Sequence, residues 1–170
     1  MNKGKYEQRE GMTDSWIGLG LNLIEFSPAA GHKIIEDNAM KFSNRRHRVL
    51  YAEDNEDSRD LVMMMCEMSG IEVITAETVS DAWQMAQTQP FDLYLLDLRF
   101  SDGDGLELCR RLRVFAPLTP ILIYSGNAFE ADKEKGLSAG ANDYLTKPFM
   151  GNLAATIRQH IEQIESSVVR

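Results

Sequence analysis

Short apolar runs recur along the chain from residue 49 onward, each followed by a longer polar stretch with apolar positions at helical spacing. Val49-Leu50-Tyr51-Ala52, Leu93-Tyr94-Leu95-Leu96 and Ile121-Leu122-Ile123-Tyr124 are too short for helices and rich in branched and aromatic residues, as strands buried on both faces are. Ile71-Glu72-Val73-Ile74-Thr75 alternates and is β-branched, so it reads as a further strand, and Asp143 to Thr146 reads as the last. Asn55 is a good N-cap for a helix carrying Leu61, Val62, Met65 and Met68, which Gly70 stops. Further helices are expected over about Thr78 to Thr88, through Leu106, Leu108, Cys109 and Leu112 to Phe115, over about Ala128 to Ala139, and from about Met150 to Val168. Pro90 and the Asp102-Gly103-Asp104-Gly105 stretch mark loops.

Five strands alternating with five helices need crossover connections, which implies an α/β fold with a parallel sheet covered on both faces. The flavodoxin-like, doubly wound strand order 2-1-3-4-5 is the natural arrangement for this count, with its switch point between the first and third strands. The residues that end the strands carry the chemistry. The first run ends in Glu53-Asp54, the third strand in Asp97, the fourth in Ser125 and the fifth in Lys147. In an open parallel sheet these carboxyl ends gather along one edge, where ligands bind. Three carboxylates meeting there repel one another unless a cation joins them. The chain therefore reads as holding an acidic, Mg²⁺-type pocket with an aspartate placed to react.

Charge narrows the choice of partners. With 18 basic and 26 acidic residues in 170, the net charge of −8 argues against direct binding to nucleic acid or an anionic membrane. No stretch approaches the roughly 18 uninterrupted apolar residues of a membrane span, and the first residues lead into no apolar signal core. A cytoplasmic location without membrane insertion is the expectation. Cys66 and Cys109 fall in expected helices without metal-ligand spacing and should pack as small buried hydrophobes, not as a disulfide. His32, His47 and His160 are scattered, and solvent-facing roles are expected for them.

The ordered set Glu53-Asp54, Asp97, Asp104-Gly105, Ser125-Gly126, Tyr144 and Lys147-Pro148-Phe149 resembles the receiver domain of bacterial two-component response regulators, from about Arg48 to Val169. The resemblance implies a stand-alone, chemotaxis-type receiver acting as a phosphorylation-controlled switch in a phosphorelay. By that resemblance Asp97 accepts a phosphoryl group from a histidine kinase or phosphotransfer protein. Asp54 and Asp97 are then direct Mg²⁺ ligands with the backbone carbonyl of Arg99, and Glu53 holds the ion through water. Lys147 is implied to pair with the phosphoryl oxygens, with a cis peptide before Pro148. Ser125 is implied to hydrogen-bond the new phosphate, and Tyr144 to swing inward as it does. The face made by the fourth helix, fifth strand and fifth helix is then the output surface, serving a downstream protein target or a homodimer. No catalytic output is implied beyond self-catalysed phosphotransfer and dephosphorylation. The chain departs from the family in having Ser101 where proline is frequent, and in the bulky, basic Arg99-Phe100 pair. By the same resemblance, Arg99 and Asn127 occupy positions that control water access to the phosphate.

Three other readings bear on the same residues. A haloacid-dehalogenase-type phosphatase also uses an aspartate with Mg²⁺ at a strand end, but Arg99 stands where its general acid would be. A flavin-binding flavodoxin would need a Ser/Thr/Gly-rich phosphate cradle after the first strand, where this chain has Glu53-Asp54-Asn55-Glu56-Asp57. A phosphorylation-independent adaptor is disfavoured by the complete acid, hydroxyl and lysine set. Residues 47–170 are thus expected to form the receiver, and residues 1–46 a poorly ordered or partner-binding extension. In that extension, glycines weaken the strand-like Ile17 to Leu23, and Trp16 to Phe26 is the apolar segment suited to anchoring. Met40-Lys41-Phe42-Ser43-Asn44 resembles the opening of many receivers, which makes Met40 a candidate start.

Overall fold

The computed structural model of the chain describes residues 46–149 and 151–168, which fall within one compact unit, Arg45–Arg170. The expectations for residues 1–46, including His32, Trp16 to Phe26 and the Met40 start, lie outside the described residues except at Arg46. Five parallel strands, β1 (Arg48–Ala52), β2 (Glu72–Ala76), β3 (Leu93–Leu96), β4 (Ile121–Ser125) and β5 (Asp143–Thr146), form one sheet in the order β2-β1-β3-β4-β5. Between and after them run α1 (Glu56–Glu67), α2 (Val79–Thr88), α3 (Gly105–Phe115), α4 (Glu130–Ser138) and α5 (Leu153–Val168). This is the doubly wound topology expected from the apolar runs.

Strand alternation divides the core between two faces. Val49, Tyr51, Leu93, Leu95, Leu122, Tyr124 and Leu145 pack with Val62 and Cys66 of α1 and with Leu153, Ala154, Ile157 and Ile161 of α5. Leu50, Ala52, Tyr94, Leu96 and Ile121 pack instead with α2 and α3, through Ala82, Ala86, Leu108, Cys109 and Leu112. Each fully buried leucine in these strands contributes on the order of 1.5–3 kcal/mol. Both cysteines are free and buried, and burial pushes each thiol up to about 11.

Several boundaries and faces differ from the sequence expectation. On α1 the buried stripe is Arg59, Val62 and Cys66, while Leu61 and Met68 are exposed; the helix is turned so that a guanidinium takes a core position. Glu67 ends α1, and Gly70 adopts φ 73°, which glycine accepts without a Cβ clash. Helix α4 starts at Glu130, two residues later than expected, after Phe129 as N-cap. Helix α5 starts at Leu153, because the Asn152 side chain accepts from the Ala155 amide at 3.0 Å and fixes the first turn there. His47 and His160 are half-buried, not solvent-facing, and His160 Nε2 lies 3.4 Å from Asp143 Oδ2.

Candidate functional site

Register delivers the strand ends to one place. Ala52 pairs with Ala76 on one side and with Leu96 on the other, so Glu53 and Asp97 leave the sheet side by side. The Glu53 amide donates to Ala76 O and the Asp97 amide to Ala52 O, both at 2.9 Å. Across the sheet Ser125 pairs with Thr146, and the Lys147 amide donates to Ser125 O at 2.8 Å, bringing the amine to the same edge.

Carboxylate oxygens of Glu53, Asp54 and Asp97 lie within 4.8 Å of one another. Glu53 and Asp97 are buried and Asp54 is exposed. Charges this close repel by on the order of 3–4 kcal/mol per pair in a near-surface dielectric. One cation is already present: Lys147 Nζ pairs with Glu53 Oε2 and stands 3.8 Å from Asp97 Oδ2. The amine also lies over the rings of Tyr124 and Tyr51, at 5.2 and 6.0 Å from their centroids. Glu53 is further held by the Tyr51 hydroxyl at 2.6 Å and the Asn55 amide at 3.3 Å. Burial, and then the bond to Glu53, push the Tyr51 phenol well above its ordinary range, so it stays a donor.

Asp97 is different. Its Oδ1 is buried without a hydrogen-bond partner among the described residues, and so is Ser125 Oγ. A buried carboxylate oxygen left unmatched is costly, and here it sits in a cluster of hard oxygen donors that suits a cation of the Mg²⁺ type. The donor set therefore fits a divalent ion, with Asp54 and Asp97 free to ligate and Glu53 already occupied by Lys147 and Tyr51.

Loops on either side of Asp97 are fixed by close packing. A Cβ on Gly105 would stand 2.7 Å from Leu98 Cα and nearer still to Asp97 O, so only glycine lets α3 begin this close to β3. The Asp104 side chain caps α3 through the Leu106 amide at 2.9 Å. Asp102 reaches across to α2 and accepts from the Val79 and Ser80 amides at 3.0 and 3.1 Å. Ser101, in place of a proline, is thus flanked by a loop secured through Asp102. Arg99 forms an isolated bridge with Asp104, and its exposed guanidinium lies over Gly126, 3.9 Å from where a Cβ would stand.

Tyr144 is buried, with its ring against Leu98 and Ile123. Its hydroxyl donates to Asn127 O at 2.8 Å, so the ring already points inward, tied to the loop that follows Ser125. Burial raises the phenol above its ordinary range. The Lys147-Pro148 peptide is cis.

Glu53, Asp54, Asp97 and Lys147 lie together at this edge, and Ser125 ends β4 beside them. Two of its fixtures were not anticipated. Tyr51 shares a strand face with Glu53 two residues on, a period-2 signal hidden because tyrosine also reads as core. Arg59 donates to Glu53 O at 2.9 Å and Asp54 O at 3.0 Å, and its position four residues past the N-cap gave no sign of that.

Comparison with known proteins agrees with this fold. Residues 49–161 match the family model for the response regulator receiver domain. The KDP operon transcriptional regulatory protein KdpE of Escherichia coli is 40% identical over 111 residues, covering 65% of this chain and 49% of that protein. The receiver domain of the Francisella response regulator 1452 superposes with a TM-score of 0.66 at 28% identity, covering 69% of this chain and 98% of that one. The BeF3-activated DrrB receiver domain gives a TM-score of 0.64 at 25% identity, covering 69% and 99% respectively. The chain belongs to the response regulator receiver family, the phosphorylation-controlled switches of two-component systems. It spans about half the length of the curated relatives it matches. Among the described residues no helix is long and apolar enough to cross a membrane.

Proposed function

We propose that Asp97 is the phosphoacceptor of this switch, and that the observation carrying the reading is its buried, unpartnered Oδ1 beside two further carboxylates and the Lys147 amine. A carboxylate oxygen of Asp97 attacks the phosphorus of a phosphohistidine on a partner kinase or phosphotransfer protein. The P–N bond breaks, the imidazole leaves, and an acyl phosphate remains. Such transfer depends mainly on positioning and charge neutralisation. Asp54 and Asp97, with the Arg99 carbonyl, would hold Mg²⁺, and Glu53 would support it through water. The ion, when bound, supplies positive charge opposite the phosphoryl oxygens.

The remaining steps belong to the chain itself. Phosphorylation turns a singly charged carboxylate into an acyl phosphate of about −2, and the added negative charge, now on the phosphoryl oxygens, draws Lys147 from Glu53 toward that group. Ser125 Oγ, buried without a partner, donates to a phosphoryl oxygen. That draws in the loop through Asn127, whose carbonyl holds the Tyr144 hydroxyl, and so biases the face of α4, β5 and α5 between two states. The output is a change in affinity for a protein target or a second copy of the chain, in the cytoplasm, without direct contact to nucleic acid. Residues 47–170 form this switching unit, and the acyl phosphate is lost by hydrolysis at the same site.

The test is incorporation of phosphate from a small phosphodonor with Mg²⁺. The wild type should gain one phosphoryl mass and Asp97→Asn none; equal labelling of both would overturn the assignment. Lys147→Ala should fold and yet uncouple phosphorylation from partner binding. A partner affinity that still responds to phosphate as in the wild type would remove Lys147 from the switch.

A further inference from the structure

Among the described residues few charged side chains are buried, and Arg59 is one that the chemistry above does not use. It lies on the buried stripe of α1 with Val62 and Cys66, where helical spacing would ordinarily put an apolar residue. Taking a guanidinium out of water costs several kcal/mol unless its donors are matched. Here they are matched at two neighbouring strand ends. Nη1 donates to Glu53 O and Asp54 O, and Nη2 to Glu77 Oε1 at 2.9 Å. Glu77 directly follows β2 and its side chain is largely exposed, so the guanidinium ties the acidic loop to the neighbouring strand end.

We infer that Arg59 is a positioning residue that sets the affinity of the acidic pocket for its divalent ion. Two carbonyls held by one rigid, planar donor fix both peptide planes of Glu53-Asp54, and with them the directions in which the two carboxylates leave the backbone. The loop keeps its form before any cation arrives, so ion binding orders little. The fixed positive charge behind the acids works against a second cation, so the gain in affinity comes from geometry and not from charge. Stability alone would favour an apolar residue on this stripe, and the pairing of Arg59 with this one loop answers a need for geometry. The inference rests on the proposal that the pocket takes Mg²⁺.

The experiment is a calorimetric Mg²⁺ titration of the full chain, without phosphodonor, beside thermal unfolding of the same samples in chelator. Arg59→Met keeps the bulk of the side chain and removes the donors. Its Mg²⁺ dissociation constant should rise about 10–100-fold, as when partners of metal ligands are removed, while its unfolding midpoint in chelator stays level or rises. Arg59→Lys retains the charge without the fork and should recover only a minor part of the affinity. Glu77→Gln, which keeps an acceptor for Nη2 and removes only the charge of a largely exposed carboxylate, should weaken binding by no more than about fivefold, and it carries the test with Arg59→Lys if Arg59→Met fails to fold. Wild-type affinity in Arg59→Met, or full recovery in Arg59→Lys, would overturn the positioning role. A wild type that binds no Mg²⁺ would instead overturn the reading of the pocket itself.

Discussion

The two halves of the site are built differently. On the acid side, around β1 and β3, each segment has several partners. Glu53 is held by Tyr51, Asn55 and Lys147, its carbonyl by Arg59, and the loop after Asp97 by Asp102, Asp104 and the close approach at Gly105. Asp97 Oδ1 on the acid side and Ser125 Oγ on the side of β4 and α4 both lack a partner among the described residues, so the contrast lies in the elements that carry them. Helix α4 has no side-chain cap, whereas Asn55, Thr78, Asp104 and Asn152 cap α1, α2, α3 and α5. It also buries little beyond Gly136. Reaction needs oxygens fixed in advance, while response needs an element with a small gap between arrangements. The contrast gives each half one of those properties.

The sharpest way to break the contrast is to add one methyl group to each half. Gly105→Ala should cost about 1–3 kcal/mol, because the new Cβ meets backbone that cannot yield. Gly126→Ala meets nothing nearer than the tip of Arg99 at 3.9 Å and should stay within about 0.5 kcal/mol. Urea unfolding of the two variants measures both, and equal losses would erase the distinction.

Helix caps give the next largest effect. Asn55→Ala should cost about 1 kcal/mol by removing the bond to the Ser58 amide. Phe129→Ser should instead stabilise α4 by up to about 1 kcal/mol, since position 129 has extended backbone and an exposed side chain. Amide exchange in α4 should slow in that variant, and the phosphorylation-driven change in partner affinity should shrink with it. Unchanged exchange would mean that α4 is not limited by its missing cap.

A smaller, pH-dependent effect belongs to Asp102. The Val79 amide, with Ser80, holds its carboxyl below the ordinary aspartate range. The folded state therefore keeps this group ionised to lower pH than the unfolded state does. Its contribution is full above about pH 4 and is lost as pH falls through the depressed folded value. The gap in unfolding midpoint between wild type and Asp102→Asn should be widest near neutrality and close on acidification. A gap that widens in acid would contradict the latch.

The sequence was most readable where chemistry sits at a strand's end. Asp97, Glu53-Asp54, Ser125 and Lys147 each follow an apolar run, and a parallel sheet leaves those ends no other place to go. It was least readable where one side chain acts over distance. Asp102 looks like one more turn acid, yet it caps a helix that begins 23 residues earlier. Arg59 looks like a surface residue of an acidic helix start until the fold brings Glu77 against it. The α1 stripe is ambiguous for the same reason, since Leu61 and Met68 satisfy helical spacing as well as Cys66 does yet are exposed. Spacing gives a period, and the phase came from what the guanidinium had to reach.

The central claim is that one carboxylate, and not its two neighbours, carries the phosphoryl group. Borohydride reduction of the phosphorylated chain, followed by peptide mass mapping, tests this directly, because an acyl phosphate is reduced to a homoserine at its own position. Homoserine is expected at position 97, formed only when Mg²⁺ accompanied the phosphodonor. Homoserine at position 54, or at 97 with equal yield in chelator, would contradict it.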